Sequence, residues 1–242
     1  MLARGKERML EATFVDYGDS GILINFSDKF SEKSWKKTHF LANEIRKRDF
    51  KEILSIVPTL TSIFIHFDLL RIERREIIQN IKEIMDEINE KNMILNSGHY
   101  KIPMVFGGDY GPDLEKISTE MNTSQEELVK LITSKPHRIL AFSRGPMMES
   151  PASDKIERLK SPRTSVPSGT LGIAFNQISI SSMEAPSGWK MLGQSPVILL
   201  DSTYDPPGVL SPGDYITFFS IKEKEFDFYQ SQHVKEMDEK YE

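Results

Sequence analysis

The stretch that decides the fold runs from Lys160 to Gln194: K-S-P-R-T-S-V-P-S-G-T-L-G-I-A-F-N-Q-I-S-I-S-S-M-E-A-P-S-G-W-K-M-L-G-Q. Four glycines and three prolines punctuate short apolar runs here, so tight turns alternate with strands too short to stand alone. Four polar side chains, Arg163, Ser168, Asn176 and Gln177, lie among those turns. Loops carried on a rigid sheet are where binding residues concentrate.

Outward from this stretch the same texture continues. Strands are expected at His137–Phe142, Leu171–Phe175, Gln177–Ile180, Val197–Leu200 and Tyr215–Ile221, with turns at Pro167-Ser168-Gly169, Pro186-Ser187-Gly188, Pro206-Pro207-Gly208 and Pro212-Gly213-Asp214. Many short strands between Pro/Gly turns indicate a closed or nearly closed β-barrel. Upstream, the strand Lys101–Phe106 runs into Gly107-Gly108-Asp109-Tyr110-Gly111-Pro112-Asp113-Leu114. This is not a phosphate loop: it has neither a Walker lysine nor the G-x-G-x-x-G spacing. Asp109, Asp113 and Glu115 would repel an anion there, while suiting the start of a helix. Thr123 and Glu126 stand at capping-box spacing for a second short helix, with Leu128, Leu131 and Ile132 as its buried stripe.

The first hundred residues read differently. Glu11–Tyr17 and Gly21–Phe26 form a hairpin around Gly18-Asp19-Ser20, followed by a helix over Ser31–Arg48 with Trp35, His39, Ala42 and Ile45 on one stripe. The order repeats: strands at Ile53–Val57 and Ser62–Phe67, then a helix with Asp68 as the expected N-cap and Ile77, Ile81, Ile84 and Ile88 facing inward. Two helices on one face of a small, mostly antiparallel sheet bury all these stripes. His66 alternates away from Ile63, Ile65 and Phe67 and reads as structural rather than catalytic. The fold class is therefore α+β. A two-layer α/β sandwich occupies residues 1–98, with Asn96-Ser97-Gly98 as a breaker cluster, and a β-barrel occupies 99–225. Charged residues 226–242 remain as a tail that forms a short helix or frays.

Composition bounds the function. The 242 residues are 38% hydrophobic and 28% charged, as expected of a globular protein, and the net charge of −5 argues against general nucleic-acid binding. Without cysteine there are no disulfides, thiolate metal sites or cysteine nucleophiles, which suits a reducing compartment. No apolar run reaches the roughly 20 residues that span a bilayer, and the N-terminus lacks the apolar core of a signal peptide, so a cytoplasmic protein off the membrane is expected. The five histidines have no metal-ligand spacing and the carboxylates do not cluster, so no metal site is expected.

Several pieces resemble the B-type component of 5-oxoprolinase, also described as the KipI or allophanate hydrolase subunit 1 family. They are Gly18-Asp19-Ser20; Ile56-Val57-Pro58-Thr59 with Ser62; Ile102-Pro103 with the 107–114 loop; Pro162 to Ile173; Pro186 to Gly193; and Pro212-Gly213-Asp214. Their common order over most of the chain is a specific signal. The resemblance implies a cyclophilin-like barrel after the N-terminal α/β domain. It implies a related partner, the C-type component (KipA), and a third component of the LamB/YcsF type. The assembly opens 5-oxoproline to glutamate with ATP held through the complex, and related domains form the carboxyltransferase part of urea carboxylase. An alternative role in the same family is inhibition of a sporulation histidine kinase by direct binding. Two segments depart from the family pattern: Ala141–Glu149, where Arg144, Met147 and Met148 replace an aromatic pair, and Phe175–Ser182. Both are expected to border the ligand groove, which implies either a different small lactam or amide substrate or weakened catalysis.

Activated amide opening needs positioned donors for the anions that form. Arg163, with its fork of donors, is the first candidate for a carboxylate or phosphate. Ser168 and the N–H groups around Gly169 make a candidate anion nest, Gln177 a partner for an amide or carboxylate, Asn176 a neighbouring polar contact and Trp189 a groove wall. The alternative reading pairs Arg163 with an acid across the barrel and buries Trp189 in the core. No nucleophile–base pair is visible, so catalytic residues are unassigned and the active site is expected to be shared with a partner chain.

Overall fold

A computed structural model describes residues 10–89, 92–95, 97–152, 156–204, 206–230 and 232–237. The N-terminus, Asn96 of the breaker cluster and the last five residues of the tail lie outside the described residues. The chain forms two compact units that divide at residues 95/96.

The first unit is an open sandwich. Strands β1 (Thr13–Tyr17), β2 (Gly21–Asn25), β3 (Ile53–Pro58) and β4 (Ser62–Phe67) form an antiparallel sheet in the order β1-β2-β4-β3. Helices α1 (Glu32–Arg48) and α2 (Arg74–Glu87) supply Leu41, Ile45, Ile77, Ile81 and Ile84 to a core shared with Ile22, Ile24, Ile63, Ile65 and Phe67 from alternate strand positions. Ser31 caps α1 in a reciprocal box with Ser34. Asp68 does not cap α2. Its carboxylate accepts the Leu70 N–H at 3.0 Å and its carbonyl accepts the Arg71 and Ile72 N–H groups, so a separate turn intervenes and α2 starts at Arg74. An Asp can satisfy a local turn as readily as a helix end, and here the turn wins.

The second unit is a closed barrel. Its order is β10-β7-β6-β13-β5-β12-β9, and β9 pairs with β10 to complete the ring. The strands are β5 (His99–Phe106), β6 (His137–Phe142), β7 (Pro146–Glu149), β9 (Thr170–Ala174), β10 (Gln177–Ile180), β12 (Lys190–Gln194) and β13 (Tyr215–Ser220). A separate two-stranded ribbon pairs β8 (Arg163–Val166) with β11 (Ala185–Ser187). Alternation along each strand sends Ile102, Met104, Ile139, Met148, Leu171, Ile178, Leu192 and Phe218 into the barrel core. Helices α3 (Leu114–Glu120) and α4 (Gln125–Thr133) add Leu114, Ile117, Leu128 and Ile132 to it.

Two expectations change here, and one of two alternatives for the charged end is met. Ser124, not Thr123, caps α4, with Glu127 as its reciprocal partner; Thr123 donates its hydroxyl to the same carboxylate. Val197–Leu200 is not a strand: Ile198 makes a single parallel bridge to His233. The charged end contains a short helix, α5 (Phe226–Tyr229), and beyond it Val234 is buried in the barrel core. The glycine-rich segment at 107–111 is a turn, as its sequence implies, closed by the Gly111 N–H bonding to the Gly107 carbonyl at 2.9 Å.

Burial lowers the affinity of His137 for a proton, only partly offset by its ring nitrogen lying 2.7 Å from the Ile132 carbonyl. The unfolded chain therefore binds a proton at His137 more readily than the folded one. Stability should be full above the unfolded value of about 6.5 and fall as pH drops below it. Urea titrations at pH 7.5 and 5.5 should show this loss, and His137→Gln should reduce it.

Candidate functional site

The alternation that fills the barrel also builds a groove on its outside. Where Leu171, Ile173, Ile178 and Ile180 point inward, Thr170, Gly172, Gln177 and Ser179 point outward. Met147 from β7 and Met191 from β12 extend this wall, and the β8–β11 ribbon faces it with Val166 and Ser187. Trp189, Arg158, Ser143, Arg144 and Ser181 complete a cavity of about 150 Å³. Gly172 leaves room for Trp189: a Cβ at residue 172 would stand 3.1 Å from that of Trp189.

The ribbon is fastened by Asp113, the residue at the start of α3. Its Oδ1 accepts from Arg163 Nη2 at 3.0 Å, its Oδ2 lies 2.9 Å from Arg163 Nη1, and the same Oδ2 accepts the buried Met191 N–H at 2.7 Å. One carboxylate thus joins α3, β12 and the ribbon. Arg163 Nη1 is close to Oδ2 but misaligned for a hydrogen bond, so the contact there is ionic.

The site residues expected from the sequence divide accordingly. Gln177 and Trp189 line the groove. Arg163 does not: its guanidinium is held by Asp113, the acid across the barrel that the alternative reading required. Two groups of the candidate anion nest have partners within the chain itself. The Gly169 N–H donates to the Ser181 carbonyl at 2.7 Å, and Ser168 donates its hydroxyl to the Ser182 carbonyl at 3.2 Å. Gly169 has a backbone reason for its identity, with φ of +77° and space for a Cβ closed by the Ser195 carbonyl oxygen at 2.0 Å. Asn176 is exposed in the β9–β10 turn, outside the cavity lining, and its carbonyl accepts the Ser150 N–H.

Arg144, Ser179 and Ser181 lie in the two segments expected to border the groove, whereas nothing in the sequence singles out Arg158 or Thr170 as a ligand contact. The two segments that depart from the family pattern do meet here, Ser143, Arg144 and Met147 from the first and Gln177, Ser179 and Ser181 from the second. Arg144 Nη1 donates to the Ala185 and Pro186 carbonyls at 3.1 and 2.7 Å, which fixes the guanidinium beside the ribbon. Thr170 Oγ1 is buried and has no hydrogen-bond partner among the described residues. No Asp, Glu, His or Lys is among the described lining residues, so the groove is cationic and hydroxyl-rich without an acid–base pair. Among the described residues no three His, Asp or Glu side chains are grouped to hold a metal ion, and no helix is long and apolar enough to cross a membrane.

A family model, carboxyltransferase domain, subdomains C and D, matches residues 12–210. The chain belongs to this family. Carboxyltransferase-domain relatives include the 5-oxoprolinase B subunit of Bacillus subtilis (strain 168), 28% identical over 229 residues that cover 89% of this chain and 95% of that protein. The 5-oxoprolinase B subunit of Escherichia coli O157:H7 is 26% identical, over 85% of this chain and 94% of its own length. In fold, the chain is similar to the crystal structure of TTHA0988, with a TM-score of 0.72 and 22% identity over 84% of this chain; it spans 40% of that protein. The K. lactis urea amidolyase also shares the fold (TM-score 0.68, 16% identity), the similarity covering 98% of this carboxyltransferase-family chain and 16% of the amidolyase.

Removing the Asp113 carboxylate should strand Arg163 and free the Met191 N–H. Asp113→Ala is expected to cost roughly 3 kcal/mol, the low end for a broken buried pair because the Arg163 side chain keeps 30% exposure. Urea denaturation measures it, and Arg163→Met paired with Asp113→Leu should recover part of the loss.

Proposed function

We propose that this chain is the B-type component of an ATP-dependent 5-oxoprolinase-type complex, which opens 5-oxoproline or a related small lactam or amide to the amino acid. The observation that carries the reading is similarity along nearly the whole length of relatives named as the B subunit of 5-oxoprolinase, 95% and 94% of the two described above. The groove supports it chemically. It offers two guanidinium groups and several hydroxyls for an anionic substrate, and an apolar wall of Met147, Met191, Val166 and Trp189 for a small ring.

The groove residues bind and orient; they do not complete a reaction. In a phosphorylation route, ATP transfers its γ-phosphoryl group to the lactam oxygen and leaves as ADP, water attacks the activated carbon, the ring nitrogen departs as it is protonated, and the acyl phosphate that remains is hydrolysed to the carboxylate and inorganic phosphate. No Asp, Glu, His or Lys among the described lining residues serves as base or acid. These groups would come from partner chains, for which the C-type (KipA) and LamB/YcsF-type components are the candidates, closing over this groove in a shared site. In this reading ATP is held through the complex rather than in this groove of about 150 Å³. The 107–111 turn, with Asp109 in it and neither a Walker lysine nor G-x-G-x-x-G spacing, is not read as a phosphate cradle.

The test is co-purification of the chain with candidate C-type and LamB/YcsF-type components, followed by a glutamate assay with 5-oxoproline. Turnover that requires ATP and every component is expected. An assembled complex that forms no glutamate from 5-oxoproline overturns the reading for that substrate.

A further inference from the structure

Beyond membership in a complex, the groove has a composition that selects one class of ligand. We propose that this chain alone binds small carboxylates with an apolar body, through the guanidinium groups of Arg144 and Arg158 and the hydroxyl of Thr170. The choice of 5-oxoproline as a probe rests on the functional reading above; the binding chemistry rests on the groove.

Three observations support it independently. The first is charge: two arginines line a cavity of about 150 Å³ that has no carboxylate among its described lining residues. Partially enclosed cationic sites of this kind attract anions, because the surrounding protein screens less than water does. The second is preorganisation. Arg144 is tied by one nitrogen to the Ala185 and Pro186 carbonyls, and its remaining N–H groups make no described bond; Arg158 has no partner among the described residues. A guanidinium already held in place loses less freedom when a carboxylate docks. The third is an unmet hydrogen bond. Thr170 is 3% exposed, lines the groove, and its Oγ1 has no partner among the described residues. A buried hydroxyl without a partner is destabilising, and a ligand oxygen that accepts from it would relieve that cost.

The remaining surfaces set the ligand's shape. Met147, Met191, Val166 and Trp189 form the apolar side, so a bare inorganic anion would leave half the groove without contacts, and a neutral lactam would leave the guanidinium groups without a counter-charge. A carboxylate on a small ring or short aliphatic chain satisfies both. The role of Arg144 and Arg158 differs from that of Arg163, whose charge is already neutralised by Asp113.

Isothermal titration of the full chain with three probes tests the proposal: 5-oxoproline, cyclopentanecarboxylate, which keeps the carboxylate but lacks the lactam, and 2-pyrrolidinone, which keeps the lactam but lacks the carboxylate. The two carboxylates should bind and 2-pyrrolidinone should not. Arg158→Met, an exposed position, should weaken carboxylate binding roughly tenfold, the scale of one charge-assisted hydrogen bond. Thr170→Val should weaken binding by about threefold while raising the melting temperature of the free protein, since it removes the buried hydroxyl and keeps the shape. A purely structural threonine would move stability and binding in the same direction. Binding of 2-pyrrolidinone as tight as that of the carboxylates, affinity unchanged in both variants, or no binding by any carboxylate overturns the proposal. Arginine-dependent binding of cyclopentanecarboxylate with no 5-oxoproline turnover by the assembled complex would leave the proposal standing and remove the 5-oxoprolinase reading. Turnover by the complex with no carboxylate binding to this chain would do the reverse.

Discussion

One carboxylate fixes the geometry of the barrel unit. Asp113 lies at the point where α3 begins, accepts the backbone N–H of Met191 in the barrel wall, and holds the guanidinium of Arg163 at the start of the ribbon strand β8. Without it, the Met191 amide would be buried without a partner and Arg163 would lose its counter-charge. Buried polar groups must be paired, and here two such requirements are met by one side chain. The cost of desolvating Asp113 is offset by two hydrogen bonds and a facing charge. That arrangement is stable only with all three partners present.

The groove is a consequence of this joint. A barrel wall alone would present Thr170, Gly172, Gln177 and Ser179 to solvent as an ordinary polar surface. The ribbon, laid across that wall and fastened at Asp113, converts the surface into a cavity with a floor and a roof. Its other fastening is Arg144, whose bonds to the Ala185 and Pro186 carbonyls hold β11 from the opposite side. Arg144 therefore has two tasks, closing the groove and giving it charge. In the 141–149 segment, which departs from the family pattern, the same residues shape the cavity and line it.

The parts of the structure legible in the sequence are those governed by local periodicity. The α1 stripe of Trp35, His39, Ala42 and Ile45, the paired strand faces of the first unit and the strand Gln177–Ile180 follow from apolar spacing, and the glycine-rich turn follows from its acidic residues. Strands β8, β11 and β12 are polar or glycine-bearing and are set by partners in the folded chain, so their bounds are not written in their own composition. Val197–Leu200 is apolar enough for a strand, yet among the described residues it makes one bridge, to His233, far along the chain. The site was less legible than the fold for the same reason. Arg163 sits in the densest family motif, but its partner is 50 residues away, and a guanidinium that serves structure is spelled the same as one that serves a ligand. Arg158 carries no local signal at all, and the unmet hydrogen bond of Thr170 exists only once the barrel has closed.

Amide hydrogen exchange in an Asp113→Ala variant tests the central claim most directly. If the carboxylate fastens the ribbon to the barrel, the amides of Arg163–Val166 and Ala185–Ser187 and that of Met191 should exchange faster, while the inward-facing strands such as β5 and β13 keep their protection. Ribbon and Met191 amides that exchange at the wild-type rate in the folded variant would contradict it.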